Sequence, residues 1–552
     1  MTDAPATEFN IALVHEAISR QLADHEVLVW RDRRLTYGDV TERSRRLASY
    51  LHAQGLGVRA ERAELAGHES GQDNVALYLH NGNEYLEGML GAFKARLGPV
   101  NVNYRYVEEE LTYLLGNANA RAVIYHAAFA PRLAAIRDAL PDLTVLLQVD
   151  DGSGHPLLPG AVDYEDALAS MPAELPRRDH SPDDLYVLYT GGTTGMPKGV
   201  LWRQHDIFMS TMGGRIPGVW EPATSYDDVV ARATENPGTT MVMVPPFMHG
   251  AAQWSTFIMM TTGARIVIPD ENRHMDPADV LRAVDRERAS TITVVGNAMV
   301  RPLLDEIETG DYDLSSLAVI GNGGAPLIPA LKERLLESLP NVFINDSVGA
   351  SETGAQGSHL SAKGNVATGT FSAGPGATVV SEDLSRVLEP GHDGMGWLAQ
   401  SGWVPLGYLG DPDKTARTFP VIDGQRYAVP GDRARLLADG TVELIGRDSV
   451  TINTGGEKVF AEEVEGAIAT HPDVRDVTVC GRSSERWGQE VVAVVQLATE
   501  AEATAESLAT HAAEHLARYK LPKTWVFVEQ IQRSPSGKAD YRWAREVAEA
   551  AE

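Results

Sequence analysis

The chain of 552 residues has one cysteine, Cys480, so it can form neither an intramolecular disulfide nor a cysteine-ligated metal centre. Cys480 lies in an apolar run and reads as a small buried hydrophobe. Positive charge is also scarce. The 48 Lys and Arg residues face 76 Asp and Glu, a formal net charge of −28 that repels nucleic acid and anionic membrane surfaces. No apolar run is long enough to cross a bilayer, and the opening MTDAPATEFN has neither the basic nor the apolar region of a secretion signal. The expectation is a cytoplasmic protein with no nucleic-acid partner and no integral membrane segment. Repeats and low-complexity tracts are missing as well, and at this length the chain is expected to hold several domains.

The same negative field repels small polyanions, so any phosphate site must be assembled locally from Lys, Arg and backbone N–H groups. What is present is βαβ alternation. Val75 to Leu79, Val123 to Tyr125 and Val145 to Val149 read as strands, with helical patterns at Tyr85 to Lys94 and Pro131 to Ala139. The rhythm returns at Thr240 to Val244, Arg265 to Ile268, Thr291 to Val295 and Leu317 to Ile320. After about residue 375 short β segments punctuated by glycine take over, including Gly396 to Ala399 and Thr441 to Ile445. From about Val450 the order helix, strand, strand, helix, strand suggests a separate small unit. The fold class is therefore α/β: a large N-terminal α/β body (1–447) with a small β subdomain (about 375–447), and a small α+β C-terminal domain (448–552). The polar stretch 217–237 reads as a surface excursion with a short helix near Ser225 to Ala233.

The run Leu185 to Val200, LYVLYTGGTTGMPKGV, is an apolar strand entering a Gly/Thr loop that ends in a lysine. Its glycines (Gly191, Gly192, Gly195) allow close approach to phosphate oxygens. Thr190, Thr193 and Thr194 add hydroxyl donors, and Lys198 adds charge on a flexible stem. It is not a Walker A loop, because Pro197 precedes the lysine and Gly199 follows it. With this loop come GNGGAPL (Gly321 to Leu327), DSVGASETG (Asp346 to Gly354), Gly431-Asp432, the run Gly446 to Glu465, and PSGK (Pro535 to Lys538). At these residues, and over nearly the whole length, the chain resembles the adenylate-forming superfamily of acyl-CoA synthetases, peptide-synthetase adenylation domains and luciferases.

The resemblance implies ATP, Mg²⁺ and coenzyme A as cofactors or co-substrates, a carboxylic acid as substrate, and a mobile C-terminal domain. It places Glu352, with Thr190, at Mg²⁺, a hard cation that suits oxygen ligands. Gly323, Gly324, Ala325 and Asp346 would line the adenine, Ser351 would lie beside the nucleotide, and Asp432 with Arg447 would bind the ribose. Lys538 would reach the α-phosphate and the substrate carboxylate, where an ammonium lowers the repulsion between two anions. His249, in PPFMHG, resembles the gate of the acyl pocket, although a satisfied core histidine fits equally well. The helix after it, with Trp254, Ile258 and Met259, reads as an acyl-tunnel wall or as plain core. Gly455 and Gly456 would leave room for a pantetheine arm.

Two positions depart from the family pattern. Val348 replaces an adenine-stacking aromatic, and Ser449 stands where an Asp or Lys hinge is common. Within the superfamily the motifs look closest to bacterial CoA ligases for long-chain fatty acids and steroid side-chain acids. The competing readings are an adenylating amide synthetase and a non-catalytic nucleotide-binding scaffold. Against a carrier-loading version, only 14 residues follow Lys538, too few for a carrier domain. A homodimer is compatible with the family.

Overall fold

A computed structural model describes residues 7–551 apart from 192–195, 216–217, 236–237, 368, 455–456, 485 and 536, and apart from the side chain of residue 449. The largest sheet begins with the hairpin Glu26–Trp30 and Arg33–Thr36. It continues through Arg265–Ile268, Thr240–Met243, Thr291–Val294, Val319–Gly323 and Phe343–Ala350. From Glu26–Trp30 to Phe343–Ala350 neighbouring strands are parallel, with helices in the connections. Glu26–Trp30, Thr240–Met243 and Arg265–Ile268 are covered on both faces, which is why they read as near-continuous apolar runs, whereas burial alternates along Thr291–Val294, Val319–Gly323 and Phe343–Ala350.

A second sheet has the order Gly407–Tyr408, Lys198–Arg203, Leu185–Thr190, Gly98–Asn101, Asn74–Tyr78, Ala120–His126, Val145–Val149 and Ala161–Asp163. The helix Asn83–Lys94 is buried along its whole length. It belongs to one core with the helix Ile11–Gln21 and strands of both sheets.

The β-rich region expected from about residue 375 is hydrogen-bonded to the large sheet. Phe343–Ala350 pairs antiparallel with Gly354–Ser361, then Thr370–Ala373, Thr441–Arg447, Asp432–Leu436 and Gly396–Ser401 follow. The β region is thus an antiparallel extension of a parallel sheet, with its own small core around Val379, Leu398 and Val442. Val348 packs against that core.

The stretch expected to be a surface excursion is anchored to the body. Its helix, Tyr226–Glu235, buries Val229 and Ala233, an i, i+4 pair, and the Tyr226 hydroxyl accepts the Asn10 backbone N–H.

The third sheet has the order Glu457–Phe460, Thr451–Thr454, Gly488–Leu497 and Val474–Ser484, with Thr524–Phe527 parallel to Gly488–Leu497. The helices Ala461–Ala469, Ala505–Ala513 and Tyr541–Ala550 complete this unit. Cys480 is buried there and its thiol is pushed up to about 12, as expected of an inert core residue. The unit docks on the body: Arg475 pairs with Asp305 at 2.7 Å, and the Arg105 guanidinium donates to the Arg533 carbonyl at 3.4 Å.

Candidate active site

The strand Leu185–Thr190 turns back as Lys198–Arg203, so that Thr190 and Lys198 face each other across the hairpin. The register is held from the side by Asn101. Its Nδ2 donates to the carbonyls of Tyr189 (2.8 Å) and Met248 (2.7 Å), and its Oδ1 accepts the Tyr189 N–H at 2.7 Å. One buried side chain therefore ties the loop's entry to the segment carrying His249. Gly199 is required by close packing, since a β-carbon there would lie 2.8 Å from the Tyr189 ring. Of the predicted loop residues, Thr190, Gly191 and Lys198 are placed, whereas Gly192, Thr193, Thr194 and Gly195 lie outside the described residues.

The turn Ala350 to Gly354 is braced from within. The Thr353 hydroxyl accepts the Ala350 N–H at 2.9 Å, and Trp202 Nε1 donates to the Ser351 carbonyl at 2.9 Å. These contacts aim Glu352, whose Oε1 accepts the Tyr408 hydroxyl at 2.7 Å. Tyr408 reaches this point because Gly407–Tyr408 forms an edge strand on Lys198–Arg203, with Tyr408 opposite Val200. The short helix Pro412–Thr418 follows. Lys414 on it lies 4.6 Å from the Tyr408 ring centroid, a cation–π contact. Burial and the adjacent Lys198 ammonium pull Lys414 down to about 8, against the attraction of Glu352. Two lysines so placed, with no carboxylate within ion-pair distance among the described residues, await an anion. Sequence reasoning did not single out Tyr408 and Lys414. The only signal is the tyrosine next to a turn, because the pairing that delivers them is tertiary.

The other motifs pair among themselves. Arg447 Nε donates to Asp432 Oδ1 at 2.9 Å across a strand pair, and Asp432 holds the guanidinium pKa above its usual value. Asp346 is buried. Its Oδ1 accepts from Asn322 at 2.8 Å and its Oδ2 lies 2.5 Å from the fully buried Lys332 ammonium. Asn322 Oδ1 also accepts the Gly296 N–H at 2.7 Å. The Asp346 carboxylate, read from sequence as an adenine contact, is held in place by this internal pairing.

Lys538 closes the site from the C-terminal domain. Its N–H is bonded to Ser534 Oγ at 3.2 Å and its carbonyl accepts the Ser534 N–H, which shapes the PSGK turn. Gly324 has φ +80, and a β-carbon there would stand 3.3 Å from Lys538 Cε, so the glycine makes room for the lysine stem. Surrounding protein and the nearby Arg447 lower the Lys538 pKa, while Glu352 and Asp432 oppose that shift. The side chain nevertheless stays accessible, as befits a group lining an open space.

His249 borders the same space. Its Nε2 is buried without a partner among the described residues, and burial together with the Lys538 ammonium holds it down at about 3, so the ring is neutral at physiological pH. It precedes the helix Gly250–Thr261, on which Trp254, Ile258 and Met259 share the half-exposed face while Phe257 and Met260 are buried. The Trp254 ring folds back toward the start of that helix, 3.1 Å from where a Gly250 β-carbon would be.

At the other end, Gly455 and Gly456 lie outside the described residues. The strands flanking them, Thr451–Thr454 and Glu457–Phe460, form a hairpin whose Lys458 pairs with Asp448 at 3.7 Å. The link between the two parts is a single 3₁₀ turn, Asp448–Val450.

The donor set fits a hard divalent ion at one place. Among the described residues only one oxygen of Glu352 accepts a hydrogen bond, and Thr190 stands at the mouth of the phosphate-type loop.

Known proteins resemble the chain over nearly its whole length. The family described as AMP-binding enzyme matches residues 14–409, and the AMP-binding enzyme C-terminal domain matches residues 463–538. The chain is 61% identical over 542 residues to the medium-chain acyl-CoA ligase Mig of Mycobacterium avium, covering 98% of each chain. It is 40% identical to a 3-oxocholest-4-en-26-oate–CoA ligase of Rhodococcus rhodochrous, covering 97% of this chain and 95% of that one. The solved anthranilate CoA ligase AuaEII, bound to anthranoyl-AMP, shares the fold with a TM-score of 0.82 at 21% identity, covering 99% of this chain and 98% of that one.

Proposed function

Because the chain belongs to the AMP-binding enzyme family in both its body and its C-terminal domain, we propose that it is an ATP-dependent, AMP-forming acyl-CoA ligase acting on medium-chain fatty acids. The observation that supports the reading is the approach of Lys538 from one domain to Gly324 of the other, where a β-carbon would stand 3.3 Å from Lys538 Cε, within the electrostatic reach of Glu352, Asp432 and Arg447. Such a site can neutralise two anions brought together and hold them in line.

In the first step a carboxylate oxygen attacks the α-phosphorus of ATP and pyrophosphate leaves, giving acyl-AMP. Lys198 and Lys414 receive the departing phosphates, and Lys538 offsets the charge growing between carboxylate and α-phosphate. Mg²⁺, held by Glu352 with Thr190, would supply charge neutralisation on the phosphate oxygens. In the second step the thiol of coenzyme A attacks the acyl carbonyl and AMP leaves. The contact of the Lys538 stem with Gly324 supports an orientation suited to the first step, and the Asp448–Val450 turn is the link about which the C-terminal domain would rotate for the second.

A medium-chain acid is preferred here over the long-chain or steroid acid expected from the motifs. The 61% identical relative is a medium-chain ligase, and the Trp254 ring lies against Gly250, the residue after His249, where a bulky side chain would narrow an acyl path. The test is a panel of acids from six to eighteen carbons plus a steroid side-chain acid, read by pyrophosphate release and by the mass of the CoA product. Highest kcat/KM for eight to twelve carbons is expected. A maximum at sixteen or more, or with the steroid acid, overturns the substrate assignment. Pyrophosphate release without a CoA thioester overturns the ligase assignment.

A further inference from the structure

The C-terminal domain carries a histidine cluster for which acyl transfer has no use. The helix Ala505–Ala513 runs out through His511-Ala-Ala-Glu514-His515, and the i, i+3, i+4 spacing turns these three side chains to one side. Their donor atoms all lie within 4.8 Å of one another. The rings of His511 and His515 are 5.3 Å apart.

A second observation concerns the proton on His511. The Thr470 hydroxyl lies 2.7 Å from the Ala467 carbonyl and 2.7 Å from His511 Nε2. Its single proton goes to the carbonyl, which can only accept, so the hydroxyl accepts from Nε2–H and the lone pair of His511 stays on Nδ1. An imidazole oriented through its far N–H by an oxygen acceptor is the usual support of a metal-bound histidine. His471, 5.0 Å from His511 and edge-on to it, is differently committed: its Nδ1 accepts the Asp473 N–H, which leaves its other nitrogen protonated. It is a wall of the cluster and not a ligand.

We propose that His511, Glu514 and His515 form a binding site for one divalent ion of the zinc class, with water completing its coordination. Two imidazole nitrogens and one carboxylate oxygen favour zinc over magnesium or calcium, which prefer all-oxygen sets. With ligand bonds of about 2.0 Å, donors in a tetrahedral site stand roughly 3.3 Å apart. Glu514 and His515 are exposed, so small side-chain rotations close the remaining gap. The bound ion would pin the end of helix Ala505–Ala513, which Thr470 already ties to the end of helix Ala461–Ala469.

The test uses the full-length, untagged protein stripped with a chelator and titrated with ZnCl₂ against a chromophoric chelator, with elemental analysis of the dialysed product. The expected result is about one zinc per chain, unaffected by excess MgCl₂, with the affinity weakened at least about tenfold in His511→Ala, His515→Ala and Glu514→Gln. Zinc should also raise the melting temperature of the wild type and not of the double histidine variant. Absence of stoichiometric zinc in the wild type, or equal zinc binding by wild type and double variant, overturns the site.

Discussion

The two ends of the proposed nucleotide site are built on opposite plans. At the ribose and adenine end the charged side chains are already paired: Asp432 with Arg447, and Asp346 with Lys332 and Asn322. At the phosphate end Lys198, Lys414 and Lys538 have no ion-pair partner among the described residues, and the first two repel each other. Two ammonium groups about 4 Å apart repel by roughly 1 kcal/mol in bulk water and about 4 kcal/mol near a protein surface. The proposed nucleoside end is thus shaped by its own ion pairs, whereas the proposed phosphate end holds mutually repelling ammonium groups that a bound polyanion would stabilise. A chain of net charge −28 needs such a local store of positive charge if it is to bind ATP at all.

The largest effect should come from removing the one phosphate-end lysine supplied by the other domain. Lys538→Ala should slow acyl-AMP formation by about 10²- to 10³-fold, the usual loss for a transition-state donor, while thioester formation from supplied acyl-AMP changes far less. Single-turnover assays of the two half-reactions check this, and equal losses in both would remove the lysine from a dedicated role in adenylation.

Lys332→Ala probes the opposite plan, because it strands the buried Asp346 carboxylate. A loss of roughly 3 kcal/mol in stability is expected, visible in thermal melting, with any ATP defect following from the disturbed Gly321 to Ala325 strand end. A variant that melts like the wild type would show that the nucleoside end is not held by this pair.

Lys414→Ala should relieve the repulsion at Lys198 and yet weaken ATP use about tenfold in kcat/KM, or about 1.4 kcal/mol. Since Lys414 sits at about 8, the wild-type KM for ATP should rise above that pH, and this limb should vanish in the variant. Glu352→Gln should leave the fold intact and raise the Mg²⁺ concentration needed for half-maximal rate several-fold. An unchanged Mg²⁺ titration would move the ion away from Glu352.

A separate effect, read in stability and not in turnover, concerns the C-terminal domain alone. Burial, with Glu462 adding, pushes the Glu465 carboxyl from 4.5 up to about 8, while Glu465 accepts the Val479 N–H at 2.8 Å. The folded state therefore holds this proton more tightly than the unfolded state. The resulting stability is fully present below about pH 4.5 and is lost as pH rises to about 8. Glu465→Gln should flatten that decline and melt higher than the wild type at pH 8, and a parallel decline in both proteins would count against it.

The sequence by itself determined the parts that are contiguous. The Gly/Thr loop and the Gly431-Asp432 turn were legible because each is a short run whose residue types state a local backbone chemistry, and the GNGG, SETG and PSGK segments were legible through their resemblance to a family pattern. The strands were legible because period and composition report burial on two faces. The reach of the β-rich region was not, since hydrogen bonding between Phe343–Ala350 and Gly354–Ser361 makes it an extension of the large sheet. Nor were the isolated residues that act at a distance. Tyr408 and Lys414 arrive at Glu352 through an edge strand paired with Lys198–Arg203, Asn101 clamps Tyr189 to Met248 from 88 and 147 residues away, and Lys332 reaches Asp346 from a helix surface. Only the tertiary structure decided these, because a lone lysine or asparagine carries no local signature. Its role depends on which desolvated charge or carbonyl the fold sets against it.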